Sequence, residues 1–345
     1  MDKYIEQDCG EYLDKIDFAP LKGKTVLITG ANGLIGTYLI YMLHLANTEK
    51  AAEINIEAVS RNVPNRALAD IFAHSYRFHS MDLNSASCDD FGNRADFIIH
   101  GATYAQPGKF LRNYLDTIHL NTAVTEMLLK KAKKDGAVFL FLSSSEIYGE
   151  PDSENIPTLE SYPGLCSPVN IRAVYSESKR MGETLCFAYG NFENVRARVA
   201  RISMTYGPGV TVEDERVLAQ FIKQALEKKS IEMLDDGGKV RTFCYISDAA
   251  RMLLEILIHG RDMVYNVGGR DSISIRNLAE EICGITGSSL KIAAAGQASM
   301  ENVKVSPQRV ELDISKICSE FGITAFKPFR EGLERTIQWN RNGPG

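Results

Sequence analysis

The stretch that most restricts what this chain can become is Lys24-Thr25-Val26-Leu27-Ile28-Thr29-Gly30-Ala31-Asn32-Gly33-Leu34-Ile35-Gly36. Its short apolar run, rich in β-branched residues, reads as a strand buried on both faces, as in a parallel sheet. Three glycines follow, and then Leu34, Ile35, Tyr38, Leu39, Met42 and Leu43 recur at helical spacing. Strand, glycine turn and helix in this order suit a dinucleotide. Gly30 permits the tight turn, Gly33 lets the backbone approach a pyrophosphate, and Gly36 lets the helix pack closely on the strand. The free N–H groups and the positive dipole end of that helix then face an anion. Gly30, Asn32, Gly33, Leu34, Ile35 and Gly36 are the candidate contacts.

Further strands are expected at residues 54–59, 77–83, 96–100, 137–142 and 195–202, with a long helical pattern at about 110–134. Strands and helices alternating at this rhythm argue for an α/β fold with a Rossmann-type, doubly wound parallel sheet. Its ligands would lie at the carboxyl ends of the strands. The second strand ends Val59-Ser60-Arg61 without the carboxylate that would bond an NAD ribose. A hydroxyl and a guanidinium at Ser60 and Arg61 suit a ribose 2′-phosphate, so the cofactor is read as NAD or NADP with a lean to NADP; a solvated Arg61 is the alternative. Small residues at Gly101-Ala102-Thr103, after the fourth strand, would let the backbone lie along the cofactor. Ahead of the first strand, Tyr4, Ile5, Tyr12, Leu13 and Ile16 have the spacing of an arm or short helix packed on the body.

Two clusters fall at strand ends: Ser143-Ser144-Ser145-Glu146-Ile147-Tyr148-Gly149, and Tyr175-Ser176-Glu177-Ser178-Lys179 in the following helix. Tyr175 and Lys179, at i and i+4, share one helix face. The ammonium is expected to lower the phenol's pKa and make it usable as a base near neutral pH.

The spacing Thr-Gly-x-x-Gly-x-x-Gly, followed by Tyr-x-x-x-Lys, resembles the short-chain dehydrogenase/reductase superfamily. That resemblance implies an acid/base role for Tyr175 on a substrate hydroxyl and a contact from Lys179 to the nicotinamide ribose. Ser144 would bond the same substrate oxygen, Asp82 with Leu83 would meet the adenine edge, and Asn121 would lie near the site. Thr205-Tyr206-Gly207-Pro208-Gly209, residues 237–248 with Arg241-Thr242-Phe243-Cys244-Tyr245-Ile246-Ser247-Asp248, Ser306-Pro307-Gln308-Arg309 and Asp313-Ile314-Ser315-Lys316 extend the likeness over about residues 22–341. They match the extended branch, the nucleotide-sugar epimerases, dehydratases and decarboxylases. The resemblance then implies an arm at 1–22, a dinucleotide-binding domain at 23–205 and mainly a nucleotide-sugar-binding domain at 206–345. Arg241 would take the pyrophosphate and Arg309 would lie near the nucleotide; Asp248 is read as a helix cap.

Ser144-Ser145-Glu146, and Pro168 and Arg172 ahead of Tyr175, look most like UDP-glucuronate decarboxylases. The implied reaction oxidises carbon 4, loses carbon dioxide from the resulting β-keto acid and returns the hydride. Glu146 would handle the proton at carbon 5, with Ser145 and Arg172 among the substrate contacts. Two departures stand out: Met204 replaces an asparagine before Thr-Tyr-Gly-Pro, and the acidic ribose residue is missing. A 4,6-dehydratase of the GDP-mannose or dTDP-glucose type is the alternative, then a 4-epimerase, and in a different class a non-catalytic dinucleotide sensor. The resemblance also implies a homodimer built on the helix at 110–134 and the Tyr175 helix.

A net charge of −5 gives no electrostatic reason for nucleic-acid or acidic-membrane binding. No apolar run approaches the roughly 20 residues of a membrane span. The seven cysteines are dispersed without Cys-x-x-Cys pairs. They suggest reduced thiols in a cytoplasmic protein, and no metal site is expected.

Overall fold

The glycine-turn reading places the first strand, and the chain forms it as β1 (Thr25–Thr29), with Val26 and Ile28 fully buried. The structure is a computed structural model describing residues 1–292 and 307–343. Ser306 and the last two residues of the expected second domain lie outside the described residues. Before β1 comes α1 (Lys3–Gly10); after it α2 (Leu34–Lys50), β2 (Asn55–Ser60), α3 (Arg66–His74), β3 (Arg77–Ser80) and β4 (Phe97–His100) follow in turn. Next are α4 (Pro107–Arg112), α5 (Tyr114–Asn121), α6 (Ala123–Asp135), β5 (Val138–Ser144), α7 (Ala173–Phe192) and β6 (Arg196–Ile202). Then come β7 (Met204–Tyr206), α8 (Val217–Lys228), β8 (Ser230–Met233), β9 (Val240–Tyr245), α9 (Ile246–His259) and β10 (Val264–Val267). The chain closes with β11 (Ser272–Ser274), α10 (Ile275–Thr286), β12 (Ser289–Ile292), β13 (Arg309–Val310), α11 (Ser315–Glu320) and α12 (Phe329–Asn342).

A seven-stranded parallel sheet has the order β10-β6-β5-β4-β1-β2-β3. The order reverses between β1 and β4, which opens a crevice beyond their carboxyl ends. Helices cover both faces. Leu39, Met42 and Leu43 of α2 share one buried cluster with Met252, Leu253 and Ile256 of α9. Leu128 and Leu129 of α6 share the other with Cys186 of α7 and with Phe139 and Phe141. A second unit holds β7, β9, β11 and β13 in one sheet and the β8–β12 pair beside it, around Phe221, Ile222, Leu278, Leu333 and Ile337.

Three features differ from the sequence-based expectation. The helical pattern at 110–134 is three helices, because Asn113 and Thr122 leave helical dihedrals. The break after Asn121 follows its turn inwards, where its amide donates to Ser178 Oγ at 2.9 Å. The second unit is not contiguous either: α9 and β10 return to the large sheet. Finally, the arm is built into the core rather than laid on it. Asp8, fully buried, accepts from the hydroxyls of Tyr38 (3.0 Å) and Tyr245 (2.6 Å) and pairs with Arg335 (2.8 Å). Asp2 accepts from the Trp339 indole at 2.7 Å. Asp248, expected to cap a helix, instead accepts from the Tyr12 hydroxyl and from Lys327 N–H at 3.0 Å.

Candidate active site

A cleft of about 1490 Å³ runs from the β1–α2 turn, past the ends of β4 and β5, to β8 and β9. At one end Gly30 has φ +77°, and a Cβ there would come within 2.8 Å of Gly101 and Ala102. The β1 end can lie against the backbone after β4 because Gly30 lacks a side chain, while a Cβ on Gly101 would crowd Leu142 at 2.9 Å. A Cβ on Gly36 would sit 2.4 Å from the Gly30 carbonyl oxygen. The close approach of α2 is thus to the turn, rather than to β1 as the spacing suggested.

The residues present fit a dinucleotide. A Cβ on Gly33 would touch only the Gly30 carbonyl, so its other side is open, and no side chain caps the first turn of α2. Those N–H groups are left for an anion. Thr103 Oγ1 lines the cleft and is buried without a hydrogen-bond partner. Leu34, Ile35 and Arg61 also line it. So does Asn32, whose side chain accepts from Asn65 N–H (2.9 Å) and donates to Val63 O (2.8 Å), which braces the loop after β2. Arg61 bonds the Tyr104 hydroxyl and lies over its ring at 5.5 Å.

Ser60, Asp82, Leu83, Ala102 and Arg309, expected near the ligands, lie outside the lining of this cleft. Ser60 ends β2, where its carbonyl accepts from Met81 N–H. Asp82 turns back to accept from Asn84 N–H, Leu83 is buried in the core under α6, and Ala102 packs against that same cluster. Arg309 is taken up by Glu311 two residues on, along the edge of β13.

The chemical centre is built by β5 and α7. Ser144 and Ser145 stand where β5 ends, Glu146 follows, and Tyr175 and Lys179 come from one face of α7; all five line the cleft. Tyr175 stacks on Phe110 with ring centroids 5.0 Å apart and planes 8° apart. Burial pushes its phenol well up, Glu146 adds to the rise, and the Ser144 hydrogen bond opposes it. Lys179 is buried, donates to Leu142 O at 2.6 Å and lies 4.5 Å from the Phe141 ring centre. Burial brings its amine down to about 7, against an upward pull from Glu183 and Cys186. The expected lowering of the phenol by the ammonium is not what the structure shows: burial is the largest cause at both groups, and Lys179 is not among the neighbours that move Tyr175. Behind them His100 is held neutral, its pKa brought down to about 3 by burial and then by Lys179. One ring nitrogen faces Leu120 O (3.0 Å) and the other the Thr29 hydroxyl (2.8 Å).

Arginines and carboxylates share the far end. Arg172 Nη2 lies 2.5 Å from Glu146 Oε1. Arg241, nearly buried, donates to the carbonyls of Val240 (2.7 Å) and Pro307 (2.6 Å). Arg216 grips Asp214 with Nε and Nη2 at 2.6–3.0 Å. Arg216 and Phe110 went unnoticed in the sequence. Arg216 sits in a loop with no motif of its own, and Phe110 has the spacing of core. Among the described residues no group of histidine, cysteine and carboxylate side chains could hold a metal ion, and no helix is long and apolar enough to cross a membrane.

Comparison with known proteins agrees with this geometry. The chain is 33% identical over 320 residues to UDP-glucuronic acid decarboxylase 1 of Xenopus tropicalis, covering 92% of this chain and 72% of that protein. It is 30% identical to UDP-glucuronic acid decarboxylase 6 of Arabidopsis thaliana, covering 89% and 86%. Among solved structures, dTDP-glucose 4,6-dehydratase (DesIV) from Streptomyces venezuelae with NAD bound superposes with a TM-score of 0.78 at 25% identity, covering 92% and 96%. MoeE5 in complex with UDP-glucuronic acid and NAD does so at 0.74 and 25%, covering 92% and 99%. Residues 26–268 match the model of the NAD dependent epimerase/dehydratase family, and the chain belongs to that family of enzymes.

Proposed function

We propose that this enzyme is a UDP-glucuronate decarboxylase that works through a 4-keto intermediate. The observation that carries the reading is the set Ser144, Glu146, Tyr175 and Lys179 in one cleft whose sugar end is lined by Arg172, Arg216 and Arg241. A guanidinium that already faces a carboxylate, as Arg172 faces Glu146, can receive a sugar acid in the same geometry, which a neutral hexose does not offer. The first units of the chain, residues 23–205, would hold the dinucleotide, with α9 and β10 completing their sheet. The remainder would mainly hold the sugar nucleotide, with Arg241 on its pyrophosphate.

NAD, when bound, supplies the hydride acceptor and a positive charge. Tyr175, its phenolate favoured by that positive charge in this dry site, takes the proton of the 4-hydroxyl while Ser144 hydrogen-bonds the same oxygen. Lys179, fixed on Leu142 O, holds the ribose edge. With carbon 4 a ketone, the carbon-6 carboxylate is β to it and leaves as carbon dioxide without a strong acid. Glu146 serves carbon 5. Seven free thiols suit a reducing cytoplasm, where we place the reaction. Tyr114, Leu115 and Ile118 of α5 and Met181 and Phe187 of α7 form an exposed apolar face, which supports a homodimer through these helices.

The test is product mass after incubation with UDP-glucuronate, UDP- and dTDP-glucose and GDP-mannose. Loss of carbon dioxide from UDP-glucuronate is expected. Loss of water from a neutral hexose would replace the reading with a dehydratase, an unchanged mass with epimerised sugar with an epimerase, and no turnover with a sensor.

A further inference from the structure

The three arginines of the sugar end are not held alike. Arg241 is anchored on backbone carbonyls, and Arg216 on Asp214, which also receives Gln106 at 2.9 Å. The partner of Arg172 is Glu146, a side chain of the reacting centre itself, and both remain partly exposed to the cleft. Arg172, the residue just ahead of α7, and Tyr175 in its first turn flank the same ring: Tyr175 stacks on Phe110, and the Arg172 guanidinium carbon lies 5.8 Å from its centre. In a pyranose whose 4-hydroxyl meets Tyr175, carbon 6 is two bonds from carbon 4. Its carboxylate therefore lies close to the Tyr175 side of the cleft. Arg172 lines the cleft on that side, beside Phe110.

Resting on the decarboxylase reading, we propose that Arg172 recognises the sugar carboxylate by exchange: the substrate takes the guanidinium from Glu146, and the released Glu146 turns to carbon 5. A planar guanidinium accepts either carboxylate in the same forked geometry, so the swap costs little in contacts. When the carbon 5–carbon 6 bond breaks, its electron pair and the carboxylate's negative charge pass to carbon 5 and the 4-oxygen as the enolate of the 4-ketone, and neutral carbon dioxide leaves Arg172 without an anionic partner. A proton that Glu146 has drawn from solvent forms the new carbon 5–hydrogen bond. The Glu146 carboxylate left behind returns to Arg172, which resets the site. The ion pair therefore links substrate choice to the placing of the proton donor.

The experiment is a binding cycle with UDP-glucuronate and with UDP-xylose, which lacks only the carboxylate. Arg172→Met should weaken UDP-glucuronate about 10- to 100-fold, the range for one charged hydrogen-bonded contact, and UDP-xylose less than about 3-fold. Arg172→Gln gives the same comparison should the Met variant not fold. Glu146→Gln removes the competitor and should tighten UDP-glucuronate in the presence of Arg172, but leave it unchanged in an Arg172→Met background. Equal weakening of both sugars, or a Glu146→Gln gain that persists without Arg172, overturns the exchange. If the unaltered enzyme releases no carbon dioxide, the decarboxylase reading falls instead, and the two failures are told apart.

Discussion

Replacing Lys179 by Met should stabilise the ligand-free protein at neutral pH and destabilise it at high pH. The amine titrates near 7 in the folded chain against an ordinary 10.5. Between those values the unfolded chain binds the proton and the folded chain does not, so the contribution of Lys179 to stability rises with pH across that window. Integrated at pH 7, charging the amine in the unfolded chain works against folding by about 4 kcal/mol, and by pH 10 this falls to about 1 kcal/mol. The groups facing the amine are Tyr175, Glu183 and Cys186 on α7 and His100 on β4. Met fills the same channel without the charge but leaves Leu142 O without its donor, a loss of about 1–3 kcal/mol. The difference is a gain of about 1–3 kcal/mol at pH 7 that changes sign before pH 10. Urea midpoints of both proteins, read by fluorescence at each pH from 6 to 10 without dinucleotide, follow it directly. An offset that stays constant across this range would show that burial does not depress the amine, and the account of a dry Lys179 would be wrong.

Tyr175→Phe should lower turnover about 10²- to 10⁴-fold, as expected for loss of a general acid/base, with dinucleotide affinity unchanged; single-turnover nicotinamide absorbance checks it. Gly36→Ala places a methyl 2.4 Å from the Gly30 carbonyl oxygen, so the turn must open. A loss of about 1–3 kcal/mol in thermal unfolding, together with weakened NAD titration, is the expected result. Leu115→Glu puts a charge on a side chain that is 66% exposed on α5. Sedimentation should then show monomers with unchanged secondary structure, whereas an unaltered sedimentation profile would remove α5 from the subunit interface.

The cofactor half of the cleft was legible in advance, because strand, glycine turn and helix are neighbours along the chain and their geometry follows from local backbone rules. Gly30, Gly33, Tyr175 and Lys179 all line the one cleft. Arg309 illustrates the limit. Its motif put it near a nucleotide; in the structure it pairs with Glu311, just past the end of β13. A run of residues shows which charges exist, not which of them find each other.

Local order also hid how the second half divides. Residues after 206 build a separate sheet, then return through α9 and β10 to close the large one. Buried Asp8, held by side chains from α2, β9 and α12, fastens the first ten residues to the last helix. Periodicity and turn chemistry, which act over a few residues, were enough to determine a doubly wound dinucleotide fold with a tyrosine and a lysine on one helix face. Whether that phenol and amine are charged, and which arginines face the sugar, was decided only by the tertiary structure. Desolvation and ion pairing depend on what segments a hundred residues away bring to the same place.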